Sequence, residues 1–236
     1  MSLIYLIRHG QASFGSDHYD RLSETGHRQA KLVARHFRSL GRSFDAVYSG
    51  TLRRQRDTAA PLQDNSGGTG SKNLEPVVDE RLNEYDSTAV WEHYLPILCR
   101  RQPDMAKDIR RISTSRKSFQ RLFGAVMNAW VSDPAPGGGL PAWPDFCGQV
   151  HRGLERIMQE QGRRRNVAVF TSGGPISVIV QRALDLSDAV TLELSWRIMN
   201  ASVTRILYSR GGIALQAFNG ISHLEVMKDP ALLTYR

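Results

Sequence analysis

A short apolar run, Leu3-Ile4-Tyr5-Leu6-Ile7, stops abruptly at Arg8-His9-Gly10. A run of this length and β-forming composition predicts a buried strand. A strand ending in this way places a guanidinium and an imidazole at a sheet's carboxyl edge, where open α/β sheets bind ligands. Gly10 lets the backbone turn and approach a ligand closely. Arginine suits bidentate recognition of a phosphate, and histidine can form a covalent intermediate as a nucleophile. The triplet therefore points to a phosphoryl group held by Arg8 and attacked by His9. Chance alone produces such a triplet in roughly one chain in fifty of this length, and a histidine after a strand is commonly a hydrogen-bonded surface residue. The rest of the chain has to decide.

A second apolar run, Val167-Ala168-Val169-Phe170-Thr171, ends at Ser172-Gly173-Gly174-Pro175, with a helix expected from Ile176 to Leu184 and Pro175 in its first turn. Asp45 to Tyr48 reads as a short strand, followed by a helix from about 52 to 62. Pro76-Val77-Val78 is a further candidate strand leading into Arg81-Leu82-Asn83-Glu84. Ala30, Val33, Ala34, Phe37 and Leu40 recur at helical spacing between Ser23-Glu24-Thr25, which offers capping side chains, and Gly41, which stops the helix. Asn65 to Lys72 is loop-like by composition, as is Pro134 to Pro144. The stretch 88–132 looks mostly helical, and its stripe of Phe119, Leu122, Phe123, Val126 and Trp130 reads as core. A helix to about Gln161 follows, and two strands joined at Gly211-Gly212 form a closing hairpin. The alternation predicts an α/β fold: a single-domain three-layer sandwich over residues 1–236, with a mostly parallel sheet and a helical cap insertion at about 88–132.

The 236 residues suffice to bury a sizeable core. The net charge of +8 does not require nucleic acid, and no zinc-finger or aromatic ribonucleoprotein signature is present. Much of the excess lies in Arg100, Arg101, Lys107, Arg110, Arg111, Arg116, Lys117 and Arg121, opposed only by Asp104 and Asp108. This is either a solvated helical face or a positive rim that attracts an anionic substrate. Cys99 and Cys147 are too few for a disulfide framework or a cysteine zinc cluster and read as packed thiols. No stretch reaches membrane-spanning length and no signal peptide is apparent, so the cytoplasm is the expected compartment. A homodimer is compatible with the sequence, which specifies no oligomeric state.

Three further places can join Arg8 and His9. They are the strand-loop-helix Tyr48 to Ala59 with its arginines, Glu84 after a strand, and the Ser172-Gly173-Gly174 turn. With these residues the chain resembles the histidine phosphatase superfamily, in the branch that contains cofactor-dependent phosphoglycerate mutases and small-molecule phosphatases. The likeness rests on Arg8-His9-Gly10-Gln11 and Leu22-Ser23-x-x-Gly26-x-x-Gln29-Ala30. It continues through Tyr48-Ser49 with Arg54 and Thr58-Ala59, Leu82-x-Glu84, Gly173-Gly174, Asn200 to Thr204 and Asn219 to Leu224. It spans about residues 3–224 and matches poorly over 88–132.

The resemblance implies that His9 is the phosphorylated nucleophile and that Arg8 and Arg54 bind the phosphoryl oxygens. It also implies that Glu84 protonates the leaving alkoxide. Two guanidiniums supply the charge stabilisation that phosphoryl transfer needs, so neither metal nor cofactor is expected. They also keep His9 neutral. Arg53 and Arg56 compete with Arg54, but spacing to Thr58-Ala59 favours Arg54. Asp86 competes with Glu84 and reads better as a turn former. The family pattern carries a second histidine where this chain has Ser172, while the preceding strand and following glycines are intact. His223 and the remaining histidines match no catalytic motif. Ser172 and Gly173 are expected to contact phosphate through the hydroxyl and the helix N-terminus, with a slower rate because one preorganised donor is missing.

The expected function is a phosphomonoester phosphatase acting on a small phosphorylated metabolite through phosphohistidine. The alternatives are mutase-type phosphoryl transfer, and a weakened phosphate-binding or regulatory module. The arginines would depress the Glu84 pKa, whereas burial under the cap and a bound phosphate dianion would raise it, so Glu84 is expected to become a competent acid mainly in the substrate complex.

Overall fold

The computed structural model describes residues 2–13, 20–63, 74–102, 104–112 and 114–235. The glycine-rich segment 65–72 and His18 lie outside them. Six strands form one sheet: β1 (Ser2–Arg8), β2 (Ala46–Ser49), β3 (Val77–Val78), β4 (Asn166–Thr171), β5 (Val203–Ser209) and β6 (Gly212–Gly220), in the order β3-β2-β4-β1-β5-β6. The β1–β4, β2–β4 and β2–β3 ladders are parallel, whereas β5 and β6 close one edge as an antiparallel hairpin. The sheet is thus mostly parallel, as expected.

Parallel strands need crossovers, and helices supply them on both faces. These are α1 (Glu24–Ser39), α2 (Arg53–Gln63), α3 (Ser87–Arg101), α4 (Met105–Ile109), α5 (Arg116–Val131), α6 (Trp143–Gln161), α7 (Gly173–Leu184), α8 (Asp188–Ser195) and α9 (Ser222–Glu225). Strand alternation divides the core in two. Tyr5, Ile7, Val47, Ala168 and Phe170 pack against Val33 and Phe37 of α1 and Ala59 of α2. Ile4, Leu6, Tyr48, Val167 and Val169 face the other way, against Leu154 and Ile157 of α6 and Ile176, Ile179 and Val180 of α7. These are the three layers.

The boundaries show two departures from the sequence reading. Helix α7 starts at Gly173 rather than Ile176, so the glycines themselves form its first turn. Helix α8 is hidden from periodicity because Val190, Leu192 and Leu194 alternate as a strand would; Ser187 caps it by accepting from the Val190 N–H. The stretch expected to be a helical insertion holds α3, α4 and α5. No helix among the described residues is long and apolar enough to cross a membrane.

Candidate active site

The carboxyl ends of β1 and β4 lie side by side, pairing Arg8 with Thr171. The backbone of Arg8 and His9 is clamped from both sides. The His9 N–H donates to the Thr171 carbonyl at 2.9 Å, and the Arg8 N–H to the Ser202 carbonyl at 3.1 Å. The Asn200 amide donates to the His9 carbonyl at 3.1 Å. Ala201, just before β5, holds a left-handed backbone with φ 56° while its N–H reaches the carbonyls of Arg8 and His9. A non-glycine residue in that conformation costs roughly 1–2 kcal/mol, strain stored directly behind the candidate nucleophile. Gly10 has no positive φ. Its role is close packing: a Cβ there would come within 2.5 Å of the Gly26 carbonyl, at the start of α1.

The His9 ring has a defined tautomer. Its Nδ1 lies 2.7 Å from the Gly10 carbonyl, which can only accept, so Nδ1 carries the proton. Nε2 is then the lone-pair nitrogen, and it accepts from Arg54 Nε at 3.2 Å. Burial holds the His9 pKa well below its ordinary value, with Arg54 and then Arg8 adding to the effect. A neutral imidazole with Nε2 available is the form a nucleophile needs.

Arg54 lies in the first turn of α2 and is buried, with Nη1 2.7 Å from Asp20. Thr58, one turn on, explains the Arg54-to-Thr58 spacing. Its hydroxyl donates to the Arg54 carbonyl at 2.6 Å and accepts the Gly10 N–H at 3.0 Å. One side chain thereby ties the helix bearing Arg54 to the turn bearing His9. Arg53 is exposed and pairs with Asp57 at 3.4 Å, and Arg56 is exposed. Arg8 donates from Nη1 to the Ile198 carbonyl.

Glu84 follows a single 3-10 turn, Glu80–Leu82. That turn is fastened beneath the site through the Leu82 carbonyl, which accepts from Thr171 Oγ1 at 2.6 Å and Gln55 Nε2 at 3.1 Å. The carboxylate accepts the Gly174 N–H at 3.0 Å. A Cβ on Gly174 would fall 2.0 Å from Glu84 Oε1, so a side chain there would displace the carboxylate. The Glu84 pKa is raised: burial outweighs the Gly174 N–H and the attraction of Arg54 and Arg8. The opposing effects expected from the sequence are both present, and burial outweighs the arginines. Asp86 caps α3, accepting from the Thr88 and Ala89 N–H groups at 3.0 Å, as a turn former should.

Arg8, His9, Arg54, Glu84 and Gly173 line one cleft of about 540 Å³. Ser172 is not brought into its wall. It is fully buried, and its Oγ accepts from Gln55 Nε2 at 2.9 Å. Among the described residues no group of histidines, cysteines and carboxylates could hold a metal ion. His223 is buried elsewhere, its Nε2 3.0 Å from the Ala201 carbonyl. Cys99 and Cys147 are free and half-buried, with the Cys147 thiol pushed up to about 12 by burial and Asp188.

Sequence reasoning missed Asp20, Gln55 and Asn200 as parts of the site, since each is an ordinary polar residue until the fold brings it close. It also assigned Phe119 and Phe123 wholly to the core. Leu122, Val126 and Trp130 are buried there, but the two phenylalanines overhang the cleft. The eight basic residues of the 100–121 stretch are exposed, and none lines the cleft.

An α/β sheet with a buried imidazole and two guanidiniums at its carboxyl edge defines the class of fold and site. The family profile of the histidine phosphatase superfamily (branch 1) matches residues 4–116 and 110–220, and the chain belongs to that superfamily. It is 32% identical over 89 residues to 2,3-bisphosphoglycerate-dependent phosphoglycerate mutases of Brucella ovis and Brucella abortus, covering 35% of this chain and 42% of theirs. The match thus spans less than half the length of those relatives. Phosphoserine phosphatase of Entamoeba histolytica superposes with a TM-score of 0.64 at 17% identity, covering 95% of this chain and 100% of that one. Phosphoglycerate mutase of Bacillus anthracis superposes with a TM-score of 0.63 at 18% identity, covering 97% of each. These likenesses bear on the fold.

Proposed function

We propose that the chain is a phosphomonoester phosphatase working through a phosphohistidine. The observation that carries this reading is the His9 tautomer, with Nδ1–H held by the Gly10 carbonyl and the Nε2 lone pair beside Arg54. The entering phosphoryl group takes over the Arg54 and Arg8 donors, releasing Nε2 to attack phosphorus. The ester P–O bond breaks as the N–P bond forms, and the Glu84 proton passes to the leaving alkoxide. The ring keeps its Nδ1 proton, and its positive charge is balanced by the phosphoryl oxygens. In the second step the Glu84 carboxylate takes a proton from water. The oxygen attacks phosphorus, the N–P bond breaks, and inorganic phosphate leaves with His9 and Glu84 restored.

Mutase-type transfer would require the cleft to retain a bisphosphorylated cofactor, and so to hold a second phosphate. Among the described lining residues, Arg8 and Arg54 are the guanidiniums and there is no lysine. This favours hydrolysis. A pure binding module would need neither a neutral nucleophile nor a carboxyl group raised toward protonation.

The test is a screen over phosphomonoesters with wild type and His9→Ala in parallel, with chemical detection of phosphohistidine after rapid quench. Turnover and acid-labile phosphate on His9 in the wild type, both lost in His9→Ala, are expected. Turnover that survives in His9→Ala, or is absent throughout in the wild type, would overturn the reading.

A further inference from the structure

We infer that the esters this cleft selects carry a planar aromatic body on the leaving group and no second anionic group. The inference names the substrate class and rests on the phosphatase reading above. The wall facing away from the sheet edge is a run of rings from three elements. Trp91 of α3 stacks on Phe119 of α5, with centroids 6.0 Å apart and planes at 25°. Phe119 stacks on Phe123 at 5.7 Å and 18°. Phe123 meets Trp196, just after α8, at 5.9 Å and 57°. All four rings line the same cleft as His9 and Glu84. Trp91 and Trp196 are half-buried, so both keep ring surface open to the cleft.

Charge separates the two ends. The guanidiniums lining the cleft are Arg8, held at its Nη1 by the Ile198 carbonyl, and Arg54, against His9 and Asp20. Both belong to the phosphoryl group. The other charged side chains in the described lining are the carboxyl groups Glu84 and Asp86. A carboxylate or second phosphate on the leaving group would meet acidic side chains and ring faces, whose quadrupole is negative. A flat uncharged ring would instead lie on the aromatic wall, gaining burial and stacking. Binding energy of this remote kind lowers the barrier where it helps align the ester with His9.

The experiment compares phenylethyl phosphate, glycerol phosphate and phosphoglycerate as substrates. All three release alkoxides, so leaving-group acidity does not create the preference. Wild type should favour phenylethyl phosphate by roughly 10–100-fold in kcat/KM, the worth of burying one ring. Trp91→Ala should collapse that ratio. Trp91→Leu, which keeps apolar bulk and guards against misfolding, should reduce it in part.

Binding of phenylpropylphosphonate and phosphonopropionate, measured by calorimetry, gives a readout independent of turnover. The aromatic phosphonate should bind more tightly. Equal or reversed preference in hydrolysis and in binding would overturn the inference while leaving the phosphatase reading intact. No turnover of any ester, with the aromatic phosphonate still preferred in binding, would overturn the phosphatase reading and support the aromatic site.

Discussion

The two ends of the cleft are built by different means. At the sheet edge, Arg8, His9 and Arg54 are held by backbone carbonyls, by Thr58 and by the strained Ala201 turn, so position is set by a hydrogen-bonded scaffold. At the other end, the rings of Trp91, Phe119, Phe123 and Trp196 contact one another in a chain. Directional bonds place reacting atoms closely, whereas ring contacts are tolerant and fit a surface that recognises shape. Changes at the edge should therefore depress all substrates alike, and changes among the rings should alter the ratio between them.

The sharpest break in that contrast is Glu84→Gln. It should lower kcat by roughly 10²–10⁴-fold for every ester, as loss of a general acid does. With the Glu84 pKa raised by burial, wild-type kcat should fall as pH rises through that pKa, since the protonated form donates to the alkoxide. Glu84→Gln should lose this limb, and an unchanged profile would remove Glu84 from the role.

Acid also acts on stability, which must be separated from the kinetic profile. His223 is buried, and burial with the like charge of His36 brings its pKa down to about 4. A histidine with a depressed folded pKa binds its proton more readily when unfolded. Its stabilising contribution is therefore full above about 6.5 and lost as pH falls toward about 4, at most about 3 kcal/mol. His9, also depressed, adds in the same direction. Thermal unfolding of His223→Gln should show a smaller Tm drop between neutral and acid pH than wild type. An equal drop would place the acid sensitivity elsewhere.

Thr58→Ala removes the tie between the His9 turn and α2. It leaves the Gly10 N–H without this acceptor, a loss of about 1–3 kcal/mol. Initial rates should fall by roughly tenfold or more, with the preference between aromatic and charged esters unchanged. A shifted preference would mean that the two ends are not independent. Asp20→Asn should have the smallest effect. Its exposed carboxylate pairs with Arg54; on the proposed reading it competes with phosphate there, so KM should fall by roughly two- to fivefold, the worth of a partly exposed pair. A raised KM would show that Asp20 positions Arg54 rather than competing for it.

Much of this site is legible in the chain. Arg8-His9-Gly10 stands out by itself, because it ends an apolar strand. Arg54 and Glu84 are set apart from Arg53, Arg56 and Asp86 through the family resemblance and its spacing to Thr58-Ala59 and Leu82. The Gln55–Ser172 contact was not legible, because it joins residues 117 positions apart and nothing local to the marked Ser172 turn points to Gln55 as its partner. Nor was the division of the α5 stripe. Phe119 and Phe123 share spacing with Leu122, Val126 and Trp130, and periodicity reports which face of a helix is apolar, not what lies opposite it.

By itself, then, the sequence determined the layered α/β fold and the residue types at the strand ends, because those follow from short-range patterning. The tertiary structure decided the rest. It set the His9 tautomer, because the Gly10 carbonyl has to point at Nδ1. It raised the Glu84 pKa, because burial depends on what surrounds the carboxyl group. And it turned Phe119 and Phe123 of an apolar stripe toward the cleft, because only the packing of α3, α5 and the end of α8 leaves those rings in its wall.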